Sequence, residues 1–257
     1  MTKRKLGFTL AEVLITLAVI GIVAVLTMPG LVQKYDEYVR VTQLKKFYSV
    51  MLQAFNLAIV EHGTVNNWNL IPSVVLDEDG ENAEAYAEAI KNKDAFWARV
   101  LPHLKVVETN KFADVANLNT WNTYNMLGTT LLTAKTANYI VLNDGMTIVS
   151  TWFSNACSEV IATNLKSCGD FLVDLNGAKK PNRSGVDIFS FWITKNGIIP
   201  MGAENDTIRP FDTFCAGTKT NQYDGYGCTA WVIQNGNQDY LRCRDKLSWS
   251  GKRKCGD

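Results

Sequence analysis

From Phe8 to Met28 the chain reads FTLAEVLITLAVIGIVAVLTM, an apolar run with a single charged residue, Glu12. About 20 apolar residues in a helix, each rising ~1.5 Å, cross the hydrocarbon core of a bilayer. After Pro29 the pattern changes. Val32, Tyr35, Val39, Leu44, Tyr48, Met51, Phe55 and Ala58 recur at helical spacing, while Lys34, Asp36, Glu37, Arg40, Lys45 and Lys46 fill other faces. Together the two patterns predict one helix from about Thr9 to about Ile59, ~75 Å long, with Gly63 as its stop. Its first half suits lipid and its second half suits packing against a head. Pro29 lacks an N–H, so a kink or local loosening is expected there.

The remainder predicts an α+β head with an antiparallel sheet. Ala83 to Leu101 is alanine-rich, with Tyr86, Ile90, Trp97 and Leu101 on one helical face. Asp77, Glu78, Asp79 and Glu81 precede it, where carboxylates favour a helix N-terminus. A calcium loop is the weaker interpretation there, because Asn82 stands where the sharp turn needs glycine. Strand signals dominate from Tyr139: Tyr139–Leu142, a turn at Asn143-Asp144-Gly145, then Met146–Phe153. Phe171–Leu175 and Val186–Thr194 follow, and Asn196-Gly197 predicts a hairpin into Ile198-Ile199. A last hairpin is expected between Thr229–Gln234 and Asp239–Cys243, around Asn235-Gly236.

Composition narrows the function. The formal net charge is +1, so no nucleic-acid footprint is expected. Two histidines, His62 and His103, argue against a metalloenzyme or a triad, and no Walker loop, dinucleotide fingerprint or nucleophile elbow is present. All six cysteines, Cys157, Cys168, Cys215, Cys228, Cys243 and Cys255, lie in the last part of the chain without C-x-x-C spacing. That distribution favours disulfides in an oxidising compartment over zinc. Six cysteines allow 15 connectivities, the simplest of which joins neighbours. Asp174-Leu175-Asn176-Gly177 opens like a calcium loop, but its twelfth position is Gly185 rather than glutamate. Asx-type turns in a hairpin loop are the default there, against a cation site built from Asp174, Asn176 and Asp187.

Lys3, Arg4 and Lys5 precede the apolar run, which predicts a cytoplasmic N-terminus and an external head. The run ends Leu26-Thr27-Met28-Pro29-Gly30, without the small-residue cleavage pattern of a secretory signal. Glu12 is the informative residue. A charged side chain inside a bilayer costs on the order of 2.5–3.5 kcal/mol, so it calls for a partner. No basic residue follows until Lys34, about five turns further on. Cleavage after Gly7 would create an α-amine at Phe8 to meet it.

Gly7-Phe8-Thr9-Leu10-Ala11-Glu12-Val13-Leu14 resembles the cleavage and methylation motif of type IV prepilins and type II secretion pseudopilins. The resemblance covers roughly the first 55 residues; Ala11 occupies the position of the motif that varies most. It implies a pilin-like fold in which residues 1–7 are a leader. Residues 8–60 are then the long helix, membrane-spanning over 8–28, and residues 61–257 a head that bears disulfides from 157 onward. It further implies cleavage by prepilin peptidase between Gly7 and Phe8, N-methylation of Phe8, and assembly through Glu12, with Pro29 loosening the helix. Its implied partners are that peptidase, other pilin or pseudopilin subunits, an inner-membrane assembly platform and membrane lipid. The implied place is a bacterial inner membrane, then a pilus or pseudopilus. No catalytic residue or cofactor is implied, although some members of this family hold calcium in the head. The alternative is a single-pass anchor for an extracytoplasmic enzyme or ligand-binding protein.

Overall fold

The computed structural model describes residues 9–68, 70, 94–110, 123–129, 131–132, 138–153, 157–177 and 179–256. Gly7, Phe8, the acidic run from Asp77 and the first part of the alanine-rich helix, with Tyr86 and Ile90, lie outside them. The chain divides into two units, Met1–Val39 and Arg40–Asp257.

Helix α1, Leu10–His62, contains Pro29 without interruption. Proline removes only the bond its N–H would give to the Val25 carbonyl, and the rest of the ladder carries the helix through. Gly63 ends it: at φ +76° it takes a left-handed position, and its N–H bonds to the Ile59 carbonyl at 2.8 Å.

Within the head unit, α1 buries Val41, Leu44, Phe47, Met51, Ala54, Phe55 and Ala58. This face begins later than the sequence pattern suggested. Val32 and Tyr35, expected on it, are more than half exposed. Phe47 and Ala54, at helical offsets from Leu44 and Met51, complete the stripe instead. Phe47 meets Phe171 and Phe191 at centroid distances of 6.3 and 5.7 Å, and Tyr48 stacks on Phe191 at 5.7 Å. Further along, Phe55 packs on Trp68 and on Phe96 of a second helix, α2, over residues 94–100.

The sheet against α1 is antiparallel throughout. It contains β1 (Val106–Asn110), β4 (Asn138–Leu142), β5 (Thr147–Phe153), β7 (Leu165–Asp174), β8 (Ile188–Thr194) and β9 (Ile198–Pro200) in that order, with β6 (Glu159–Ala162) also paired to β7. A separate two-stranded ladder joins β2 (Thr123–Tyr124) to β3 (Leu131–Leu132). The α+β expectation, a long apolar helix with an antiparallel head, is met. Alternation divides the strands between two faces. Phe189, Phe191 and Ile193 point with Phe171 and Val173 into the main core, while Ile188, Trp192 and Leu172 join a second cluster with Met201 and Tyr226. β8 is therefore buried along its whole length.

One expected hairpin is a pair of helices. Thr229–Asn235 is α4 and Tyr240–Cys243 is α5, following a short α3 at Phe211–Phe214. Gly236, read as a hairpin turn, is the helix C-cap: at φ +67° its N–H bonds to the Val232 carbonyl at 3.0 Å. Cys157 is bonded to Cys168, Cys215 to Cys228 and Cys243 to Cys255. Each bridge closes a loop of 11 to 13 residues around the strands or the terminal helices.

Candidate functional site

Two places carry unusual chemistry. The first is the stem. α1 is long and apolar enough to cross a membrane, and its most apolar stretch has none of its residues buried. Leu10, Leu14, Ile15, Leu17, Ile20, Ile22, Val25 and Leu26 are all largely exposed. An apolar surface of this extent is stable only where lipid or another apolar surface covers it. The hydroxyls in the run are already satisfied: Thr16 donates to the Val13 carbonyl at 2.9 Å and Thr27 to the Val23 carbonyl at 2.8 Å. Only Glu12 brings a charge.

Glu12 folds back on the helix start. Its Oε2 accepts the Thr9 backbone N–H and the Thr9 hydroxyl, both at 2.8 Å, and Thr9 Oγ1 accepts the Glu12 N–H at 3.3 Å. This is a capping box, and the sequence signal for it is Thr9-x-x-Glu12. The cap occupies one carboxylate oxygen and leaves the negative charge in place.

The second place is the loop between β7 and β8, where Asp174, Asn176 and Asp187 come together. Asp174 and Asp187 are both fully buried. Asp187 accepts the backbone N–H of Asn182 at 2.9 Å and of Arg183 at 2.7 Å, and the Asn176 side-chain amide at 3.1 Å. Asp174 accepts the Asn176 N–H at 3.0 Å through Oδ1, while its Oδ2 and the Asn176 Oδ1 are buried without a hydrogen-bond partner among the described residues. Burial pushes the Asp174 carboxyl up to about 8, with the nearby charge of Asp187 adding to it, against the lowering effect of the Asn176 and Gly177 N–H groups. Asp187 is also raised by burial, but its three donors oppose the shift, so Asp174 is the member that keeps a proton. Protonation removes the charge that burial disfavours and makes Asp174 a donor as well as an acceptor.

Among the described residues, no three or more histidine, cysteine or acidic side chains are grouped to hold a metal ion. Asp206 and Asp224 are buried as well, and no sequence pattern singled them out as site residues. Asp206 binds Trp192 Nε1 and the Gly202 N–H, both at 2.9 Å; Asp224 binds the N–H groups of Ala216 and Thr218 at 2.9 and 2.7 Å. Each clasps an irregular loop that lacks ladder hydrogen bonds. Short acids among glycines were their only sequence trace.

Residues 30–238 match a family described as a family of unknown function, DUF6613. Residues 2–28 match the prokaryotic N-terminal methylation motif. No curated protein and no solved structure matches the chain.

Proposed function

The chain belongs to DUF6613 and carries a prokaryotic N-terminal methylation motif that marks a type IV prepilin-like precursor, and on that premise we propose that it is a structural subunit of a type IV pilus or type II secretion pseudopilus. The observation that carries this reading is the motif, together with an exposed apolar helix that holds one acid near its start. Prepilin peptidase cuts between Gly7 and Phe8 and methylates the new amine. Phe8–Met28 then holds the subunit in the inner membrane with the head outside, where the three disulfides are stable. On assembly the stem moves from lipid into the apolar centre of a filament. Both surroundings are apolar, so the transfer is nearly neutral, and the Glu12 pair with a neighbour's amine fixes the register.

The role needs no enzyme activity and no cofactor. Helix α1, Leu10–His62, runs from the stem into the head. Gly7→Leu tests the cleavage assignment, because a branched side chain crowds the bond to be cut. Processing is expected to slow at least about tenfold, roughly 1.4 kcal/mol in the barrier, read as retained precursor on a gel. Normal maturation of this variant would refute the site.

A further inference from the structure

An asparagine or aspartate followed by glycine carries a reaction of its own. The side-chain carbonyl carbon lies within reach of the next backbone nitrogen, and glycine has no side chain to shield that nitrogen. Attack closes a five-membered ring, and because both groups belong to one chain the step needs no catalyst. In a folded protein the outcome turns on the glycine N–H. A hydrogen bond fixes that nitrogen in place and opposes the attack.

Among the described residues five such pairs occur: Asp144-Gly145, Asn176-Gly177, Asn196-Gly197, Asp224-Gly225 and Asn235-Gly236. In four of them the glycine N–H is engaged. Gly145 donates to the Leu142 carbonyl at 2.9 Å, Gly225 to the Phe214 carbonyl at 2.7 Å and Gly236 to the Val232 carbonyl at 3.0 Å, while Gly177 donates to the Asp174 carboxyl. The side chains are held as well. Asn176 Nδ2 donates to Asp187 at 3.1 Å, and Asn235 Oδ1 accepts from Arg253 at 3.4 Å. Asp144 pairs with Lys46, and Asp224 accepts the Ala216 N–H.

Asn196-Gly197 is the exception. The pairing of Ile193 with Ile198 makes Lys195 and Asn196 the two-residue tip between β8 and β9. The Thr194 N–H and hydroxyl both close this turn on the Gly197 carbonyl at 2.8 Å. Nothing closes it in the other direction: among the described residues the Gly197 N–H and the Asn196 side chain make no hydrogen bond, and Asn196 is exposed. The attacking nitrogen and the carbon it attacks therefore stand free together at one place.

We propose that Asn196 is a site of spontaneous covalent modification. The Gly197 nitrogen bonds to Asn196 Cγ, the Cγ–Nδ2 bond breaks, and the Gly197 proton leaves with Nδ2 as ammonia. Water then opens the cyclic imide at either carbonyl, giving aspartate or isoaspartate. Nothing is oxidised or reduced, and the loss of ammonia makes the change one-way. Each event adds a negative charge beside Lys195 and takes the formal net charge from +1 to zero. The isoaspartate product also lengthens the main chain across the tip that Thr194 closes. The site lies wholly within the head and does not depend on the role proposed for the chain.

The test follows the folded full chain, disulfides closed, by peptide mapping with mass spectrometry during incubation at neutral and at mildly alkaline pH. Asn196 is expected to convert at least about tenfold faster than Asn176 and Asn235. It should convert faster at the higher pH, because the attacking nitrogen must give up its proton. Gly197→Ala should slow it by a similar factor, since the added methyl shields the nitrogen. That variant should fold, because Gly197 is not left-handed and a Cβ there would meet nothing within 4 Å. In the reduced chain unfolded in urea, the three asparagines should convert at comparable rates. Equal rates for the three in the folded chain would overturn the proposal. A product that is aspartate alone would overturn it too, since ring opening yields both isomers. A lead for Asn196 that persists on unfolding would overturn the assignment to the free N–H of the hairpin.

Discussion

Replacing Glu12 with valine is expected to leave membrane insertion and cleavage intact while removing the subunit from filaments. Insertion should improve, because valine removes the cost of a charge in lipid. Cleavage depends on the Gly7–Phe8 junction, which the substitution does not touch. Assembly is different, since each Phe8 amine would enter an apolar filament centre without its acid. Breaking a buried ion pair by removing one partner costs about 3–5 kcal/mol, on the order of several hundredfold in incorporation. Valine also abolishes the cap on Thr9, worth ~1 kcal/mol. Glu12→Gln separates the two effects, because glutamine can still close a capping box but carries no charge. Both variants should be missing from sheared filaments and present in membranes by immunoblot. If Glu12→Gln assembled like the wild type, the acid would be serving the cap alone.

The second large effect is a pH dependence of stability set by Asp174. An unfolded aspartate loses its proton near pH 4, whereas in the head Asp174 keeps it up to about pH 8. Between these values the folded state holds a proton that the unfolded chain has released, so raising the pH favours unfolding. The expected slope is about 1.4 kcal/mol per pH unit across the window, with full stability below it. Asp174→Asn resembles the protonated form. It keeps an acceptor for the Asn176 N–H and removes the charge that burial disfavours. The variant should therefore be more stable than wild type at pH 8 and lose most of the slope in urea titrations. A wild-type protein that gains several degrees in Tm on adding calcium, while Asp174→Asn does not, would place a cation where this account places a proton.

The legible parts of this fold are those where one local signal had no competitor. Asn143-Asp144-Gly145 and Asn196-Gly197 stand between β-branched and aromatic runs, and both are hairpin turns. Asn235-Gly236 offers the same dipeptide after only seven residues, Thr229–Asn235, too few to distinguish a buried helix from a strand. The left-handed glycine serves either outcome. β1 and β6 were not legible because they are short and partly exposed, with Val107 and Val160 turned outward. Neither shows the apolar alternation that marks a strand. In the stem, the meaning of Glu12 could be read because lipid makes a lone charge costly. Its cap was overlooked, although Thr9 stands three residues before it. The Asp174 loop shows the reverse limit: the acids were visible in sequence, but their burial depends on β7 and β8 pairing across the loop. No local pattern carries that information.

Intact-mass measurement of the protein purified from its own cell envelope is the most direct test of the central claim. The account predicts a chain that starts at Phe8, lighter by the seven residues Met1–Gly7, heavier by one methyl group and with its three disulfides closed. A mass that retains the residues before Phe8, or one that lacks the whole stretch through Met28, would contradict it.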